Sequence, residues 1–198
     1  MITLVGIPQT RTFRALWMLE ELGLDYELVR AAPNTPEVIA VNPSGKVPAL
    51  KVDDTVITDS VAICQYLADS AGRLTAAAGT VERGVQDGYT QFAVDDMDGI
   101  LWQRAKHDFI YPEDMRADVI AACTWDYNRA MKAFAERLGD KTYVMGDEFT
   151  VPDLILGHCA GWAKNVGLEW PAGHVADYFE RVRSRPAFNK AVEIRDAE

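Results

Sequence analysis

Strand and helix signals alternate over the first 75 residues, and strand signals are absent from the rest of the sequence. That division confines the chain to a small sheet carrying helices, followed by an all-helical body. Ile2 to Gly6 is a short apolar run rich in β-branched residues, closed by Gly6 and Pro8, and reads as a buried strand. From Arg11 to Leu22 the apolar residues Phe13, Leu16, Trp17, Leu19 and Leu22 recur at helical spacing, with Glu20 and Glu21 expected to face outward and Gly23 to end the helix. Asp25 to Val29 alternates as a second strand. Strand, helix and strand in such a short span form a βαβ unit, whose strands should lie parallel with a right-handed crossover.

The next stretch differs. Pro36 opens a short helix through Val41, Pro43 to Lys46 form a loop, and Pro48–Val52 and Thr55–Thr58 make a hairpin around Asp53 and Asp54. Ser60 to Ala71 is again helical. The order β-α-β-α-β-β-α predicts an α/β domain over residues 1–75, with a mixed four-stranded sheet that resembles the thioredoxin-like layout. Gly72 to Thr80 reads as a connector to an all-α domain over residues 81–198. Its helices are expected at Val81–Lys106, Asp114–Leu138, Pro152–Lys164 and His174–Arg183, with a short turn after Pro186. No long linker separates the two, so the cleft between them is the default place for a site.

Charge narrows the partners. Lys and Arg number 20 against 30 Asp and Glu, a net of −10, and the excess is acidic both up to Thr75 (6 against 9) and beyond it (14 against 21). A nucleic-acid backbone or an anionic membrane surface would want the opposite sign. Cys64, Cys123 and Cys159 are far apart with no C-x-x-C pair, which fits neither a disulfide framework nor a zinc site. Asp95-Asp96-Met97-Asp98-Gly99 suggests a calcium loop, but Val94 and Ala105 stand where its first and last ligands belong, leaving a solvated helix face as the expectation. No metal site is expected. Met1 to Pro8 shows no basic leader, and the apolar stretch Leu154–Ala163 has about half the length of a spanning helix. The expected compartment is the cytoplasm.

Four blocks stand where such a fold places chemistry. Pro8-Gln9-Thr10-Arg11-Thr12 is the turn into the first helix, where free N–H groups and partial positive charge favour an anion, a thiolate included. A threonine there can equally serve as a plain cap. Val47-Pro48, within Asn42 to Leu50, would with a cis bond present the N–H and C=O of Val47 to an extended peptide, although most X-Pro bonds are trans. Asp59 and Ser60 begin a helix and can face the ammonium and carboxylate of an amino-acid-like ligand, or act as a simple N-cap. Cys64, inside that helix, reads as buried and inert. Thr150-Val151-Pro152-Asp153 is a capping box with a structural role.

In order and spacing, Thr10 to Glu27, Asn42 to Leu50, Asp59-Ser60, the Thr150–Asp153 cap and Arg185-Pro-Ala-Phe188 resemble the glutathione S-transferase family over nearly the whole chain. The likeness is to its cytosolic members with a serine/threonine-like site, of bacterial type. It implies a transferase that takes glutathione as co-substrate, a small electrophile as second substrate, a detoxifying role and a homodimer. By position, Val47 ahead of Pro48 would pair with the cysteinyl backbone, Asp59 and Ser60 would hold the γ-glutamyl end, and Lys46 and Arg11 would add positive charge. Serine-type members have Ser where Thr10 stands. No Tyr precedes Tyr26 and no Cys precedes Cys64, so Thr10 is the candidate catalytic group, with Gln9 and Thr12 as substitutes.

A thiol of pKa about 8.5 is only a few per cent ionised at neutral pH. A hydroxyl donor at a helix N-terminus lowers that value, each unit corresponding to about 1.4 kcal/mol in favour of the anion. The electrophile's apolar pocket would draw on Trp102, Gln103, His107, Phe109 and Tyr111, residues that core packing or a dimer interface would explain equally well. Threonine in place of serine keeps a second function open, a non-catalytic glutathione-binding or protein-interaction module on the same fold.

Overall fold

The computed structural model describes residues 1–197. In chain order the elements are β1 (Ile2–Val5), α1 (Thr12–Leu22), β2 (Glu27–Val29), α2 (Pro36–Val41), β3 (Ala49–Val52), β4 (Thr55–Thr58) and α3 (Ser60–Ala71). Helices follow: α4 (Val81–Phe92), α5 (Ile100–Ala105), α6 (Ile120–Leu138), α7 (Val151–Asn165), α8 (His174–Arg183) and α9 (Pro186–Asp196). Two compact units result, Met1–Ala78 together with the segment from Arg183 onward, and Gly79–Val182.

The first unit carries a sheet of order β2-β1-β3-β4. β1 and β2 are parallel, while β1–β3 and β3–β4 are antiparallel. The α/β expectation, a thioredoxin-like layout, is borne out. α1 is buried on every side from Thr12 to Leu19, and Gly23, in the left-handed region at φ 66°, donates to the carbonyls of Leu19 and Glu20 and ends it.

Two expectations fail on α1 and α9. Glu20 and Glu21 do not simply face water: Glu20 accepts from the Tyr26 hydroxyl at 2.6 Å, and Glu21 accepts from the Trp17 indole at 3.0 Å and from Arg185. The turn expected after Pro186 is the eleven-residue helix α9. Phe188 inserts between Phe13 and Trp17, with ring centroids 5.5 and 4.9 Å away. These contacts place the segment from Arg183 in the first unit rather than in a helical domain spanning 81–198. Periodicity within the segment could not show this, because the stabilising surface belongs to α1.

The second unit is built of helices, with an isolated β-bridge between Tyr143 and Gly146. Its core joins Tyr127, Met131 and Phe134 of α6, Leu154, Ile155 and Cys159 of α7, and Tyr178, Phe179 and Val182 of α8. Phe134 stacks on Phe92 and Phe179 at 6.0 and 5.6 Å. The helix expected over Val81–Lys106 is divided instead into α4, a π-helical turn Ala93–Gly99, α5 and a second π-helical turn Lys106–Ile110. The wider turn carries both Met97 and Asp98 inward, so Asp98 is buried rather than on a solvated face. α6 starts at Ile120 rather than Asp114. Upstream, the Ala117 N–H donates to His107 Nδ1 at 3.0 Å and Arg116 Nε to the Tyr111 carbonyl at 2.9 Å, which holds that stretch out of the helix.

At the start of α7, both Asp153 oxygens are occupied. Oδ2 accepts from the N–H and hydroxyl of Thr150 at 2.8 and 2.9 Å, and Oδ1 from the Val144 N–H at 2.9 Å and the Tyr178 hydroxyl at 2.8 Å. The capping box is present, and its carboxylate also ties α7 to α8 and to the loop before it. Burial pushes the Asp153 carboxyl above the usual range, while the four donors pull the other way.

Candidate functional site

Register gathers three of the four blocks at one end of the sheet. Val5 pairs with Ala49 and with Val29, and Ala49 pairs with Thr58. The residues just beyond those pairs are therefore neighbours: the β1–α1 turn after Val5, Val47-Pro48 before Ala49, and Asp59-Ser60 after Thr58. The N-termini of α1 and α3 open at this edge, where partial positive charge accumulates. A Cβ at Gly6, whose φ is 144°, would collide with the Thr12 hydroxyl and come within 3.0 Å of Val47 Cβ. Only glycine lets the turn and the Val47 loop approach so closely.

The Thr10 hydroxyl is fully used within the turn. It donates to the Ile7 carbonyl at 2.7 Å, lies 3.0 Å from Thr12 Oγ1 and accepts from the Thr12 N–H at 3.2 Å. A hydroxyl has one proton and two lone pairs, so with Thr12 Oγ1 as donor all three are taken. Thr12 is fully buried beneath it. The Gln9 amide is turned to the other side, its Nε2 donating to the Arg195 carbonyl at 3.1 Å, and Arg30 donates to the Ile194 carbonyl next to it. Arg11, half-buried, follows Thr10 in the same turn.

The Val47–Pro48 bond is cis. The loop ahead of it is held from within: Asn42 Nδ2 donates to the Lys46 carbonyl at 2.8 Å, and the N–H and hydroxyl of Ser44 donate to Asn42 Oδ1 at 3.2 and 2.9 Å. The Val47 side chain packs against the cluster of Val5, Ala31, Val38 and Ala49. Among the described residues no partner is found for its N–H or C=O. Lys46 is exposed and Pro48 buried.

Asp59 caps α3, its Oδ1 accepting from the N–H groups of Val61 and Ala62 at 2.8 and 3.1 Å. It holds φ 73°, a left-handed-side value that costs a non-glycine residue about 1–3 kcal/mol and recurs at ligand clamps. Ser60 is buried and accepts from Arg14 Nη1 at 3.2 Å. One turn on, burial pushes the Cys64 thiol up to about 12, against the opposing pull of Arg14.

Trp102, Gln103, His107, Phe109 and Tyr111 all lie in the second unit, along α5, the π-helical turn after it and the residue beyond. Gln103 Nε2 and His107 Nε2 are 3.0 Å apart, and the His107 and Tyr111 rings meet edge-on at 5.1 Å. His107 Nδ1 accepts from the Ala117 N–H at 3.0 Å, and its Nε2 faces the Gln103 amide nitrogen. Trp102 and Phe109 are exposed. Among the described residues no cluster of His, Cys, Asp and Glu could hold a metal ion, and no helix is long and apolar enough to cross a membrane.

The sequence reading missed Arg14. Its signal was present: from Thr12 to Leu19 it is the only charged residue, in a helix with apolar residues on all sides.

Residues 11–70 match the family described as Glutathione S-transferase, N-terminal domain, and residues 110–186 match Glutathione S-transferase, C-terminal domain. Glutathione S-transferase GstA of Escherichia coli O157:H7 is 30% identical over 189 residues, covering 90% of this chain and 88% of that protein. The chain belongs to the glutathione S-transferase family. Among solved structures, the glutathione transferase URE2P6 from Phanerochaete chrysosporium, in complex with oxidized glutathione, is 26% identical with a TM-score of 0.84, covering 98% of this chain and 96% of that one. Elongation factor 1-gamma 2 of Oryza sativa subsp. japonica is 26% identical over 210 residues, 98% of this chain but 49% of its own length. The family's glutathione S-transferases and a module of a longer protein are thus both similar to this chain.

Proposed function

We propose that the protein binds glutathione at the sheet edge of the first unit and holds its thiol as the thiolate for conjugation to a small apolar electrophile. The open backbone of Val47 carries the reading: its N–H and C=O can pair with the cysteinyl residue of an extended tripeptide. Asp59 and Ser60 then take the γ-glutamyl ammonium and carboxylate. Arg11 and Lys46 supply positive charge to the remaining anionic groups. The cysteinyl sulfur lies towards the α1 N-terminus, where Thr10 is the candidate donor. For Thr10 to serve, its proton must leave the Ile7 carbonyl and one of the two Thr12 donors must release its lone pair. The thiol proton passes to solvent, the thiolate attacks the electrophilic carbon, and its electron pair forms the carbon–sulfur bond as the leaving group departs or, in an addition, as the acceptor takes a proton from solvent. The second unit supplies the electrophile's subsite through Trp102, Gln103, His107, Phe109 and Tyr111. A detoxifying homodimer in the cytoplasm is the setting this reading implies.

A second reading, a glutathione-binding or protein-interaction module without transferase chemistry, is favoured by the Thr10 hydroxyl already being saturated. The similarity to about half the length of elongation factor 1-gamma 2 points the same way. Calorimetric titration with glutathione followed by turnover of an aryl halide separates the two. Binding with turnover supports the transferase, binding without turnover supports the glutathione-binding module, and absence of binding removes both of these and leaves only the protein-interaction module.

A further inference from the structure

We propose that Arg14 is a positioning residue of this site: its buried guanidinium fixes the Ser60 hydroxyl as a donor, so that the α3 end selects a ligand terminus bearing a free α-carboxylate. The proposal rests on the glutathione reading, in which the γ-glutamyl group supplies that terminus.

Arg14 is 1% exposed and Ser60 3%. Arg14 Nη1 lies 3.2 Å from Ser60 Oγ. A guanidinium offers only donors, so the serine oxygen accepts with one of its two lone pairs and its own proton is kept from turning towards Arg14 and directed at an acceptor elsewhere. Without Arg14 that hydroxyl could turn its proton inward and present both lone pairs to the ligand, and the preference for an anion would weaken.

Location adds to polarity. Burying a cation is costly, and a cation beside a helix N-terminus is disfavoured again by the helix dipole. A ligand carboxylate at Ser60 would sit where the guanidinium, the helix terminus and the serine proton all favour negative charge, while Asp59 faces the ammonium beside it. Arg14 touches Ser60 rather than the ligand, so it acts through the serine.

The test is a calorimetric comparison of glutathione with two analogues, 4-aminobutanoyl-cysteinyl-glycine, which lacks the α-carboxylate, and glutaryl-cysteinyl-glycine, which lacks the ammonium. The wild-type protein should bind the first analogue about tenfold or more weakly than glutathione, as for loss of a charge-assisted hydrogen bond. In Arg14→Gln that ratio should fall towards one while the penalty for losing the ammonium persists, and Arg14→Lys should keep part of the ratio. A merely structural Arg14 would weaken all three ligands together. If Arg14→Gln does not fold by circular dichroism, Ser60→Ala and Arg14→Lys carry the same ratio test. A folded Arg14 variant with the wild-type ratio overturns the proposal, as does a wild type that binds glutathione without discriminating against the decarboxylated analogue. A wild type that binds none of the three removes the glutathione reading and the proposal with it.

Discussion

The Arg185 guanidinium closes on the Glu21 carboxylate with two bonds, Nε to Oε1 at 2.6 Å and Nη2 to Oε2 at 2.7 Å. The Glu21 side chain is only 6% exposed and also accepts from the Trp17 indole. Together with Phe188 the pair fastens α9 to α1. Removing one partner of a largely buried pair strands the other charge, so Glu21→Ala and Arg185→Ala should each cost about 3 kcal/mol of unfolding free energy. Urea denaturation checks this, and a loss below about 0.5 kcal/mol, the size of a surface pair, would show that α9 is held by its aromatic contacts alone.

Asp153 should matter more than its partner in the capping box. Thr150→Ala removes one cap and should cost about 1 kcal/mol. Asp153→Ala leaves the Val144 and Thr150 N–H groups and the Tyr178 hydroxyl without their acceptor, and should cost about 3 kcal/mol or more. Equal losses in the two variants would mean that the links to α8 and to the preceding loop contribute nothing.

Alkaline pH should destabilise the fold. Burial pushes the Cys64 thiol up to about 12 and holds the Tyr127 and Tyr178 hydroxyls above their usual range. In the unfolded chain these groups ionise near about 8.5 and about 10. The native state therefore binds more protons between the two sets of values, and stability that is full below about pH 8.5 falls as pH rises from there. The urea midpoint should drop between pH 7 and pH 10. Cys64 should also resist alkylation at pH 8 until the chain unfolds, and rapid native-state alkylation would contradict its burial.

Much of the fold was legible in the chain because the first 75 residues carry local signals of several kinds that agree. Apolar alternation, Pro36, Gly23 and the Asp53-Asp54 turn all specify the same elements. What sequence could not show depends on contacts between distant residues. α9 forms where Phe188 meets Phe13 and Trp17, and the stretch before α6, which holds a 3-10 turn over Glu113–Met115, stays out of that helix with the Ala117 N–H taken by His107. The π-helical turns change which face Asp98 presents without altering any residue type.

The candidate site was legible as a set of blocks and not as a hydrogen-bond network. Thr10, Val47, Pro48, Asp59 and Ser60 were identifiable from turn and capping chemistry. Their polarity was not: the Thr10 proton is directed to Ile7, Gln9 is turned to Arg195, and Arg14 stands behind Ser60. Which partner a hydroxyl takes is decided by atoms that approach only in the folded chain.

Thr10, although its hydroxyl donates to the Ile7 carbonyl in this structure, is proposed to turn that hydroxyl and donate its hydrogen bond to the thiolate sulfur of bound glutathione. An ultraviolet difference spectrum on adding glutathione at about pH 6.5, where little free thiol is ionised, tests it most directly. Thiolate absorbance that saturates with glutathione in the wild-type protein, persists in Thr10→Ser and is lost in Thr10→Ala is the expected result. Glutathione bound with no thiolate signal, or an undiminished signal in Thr10→Ala, would contradict it.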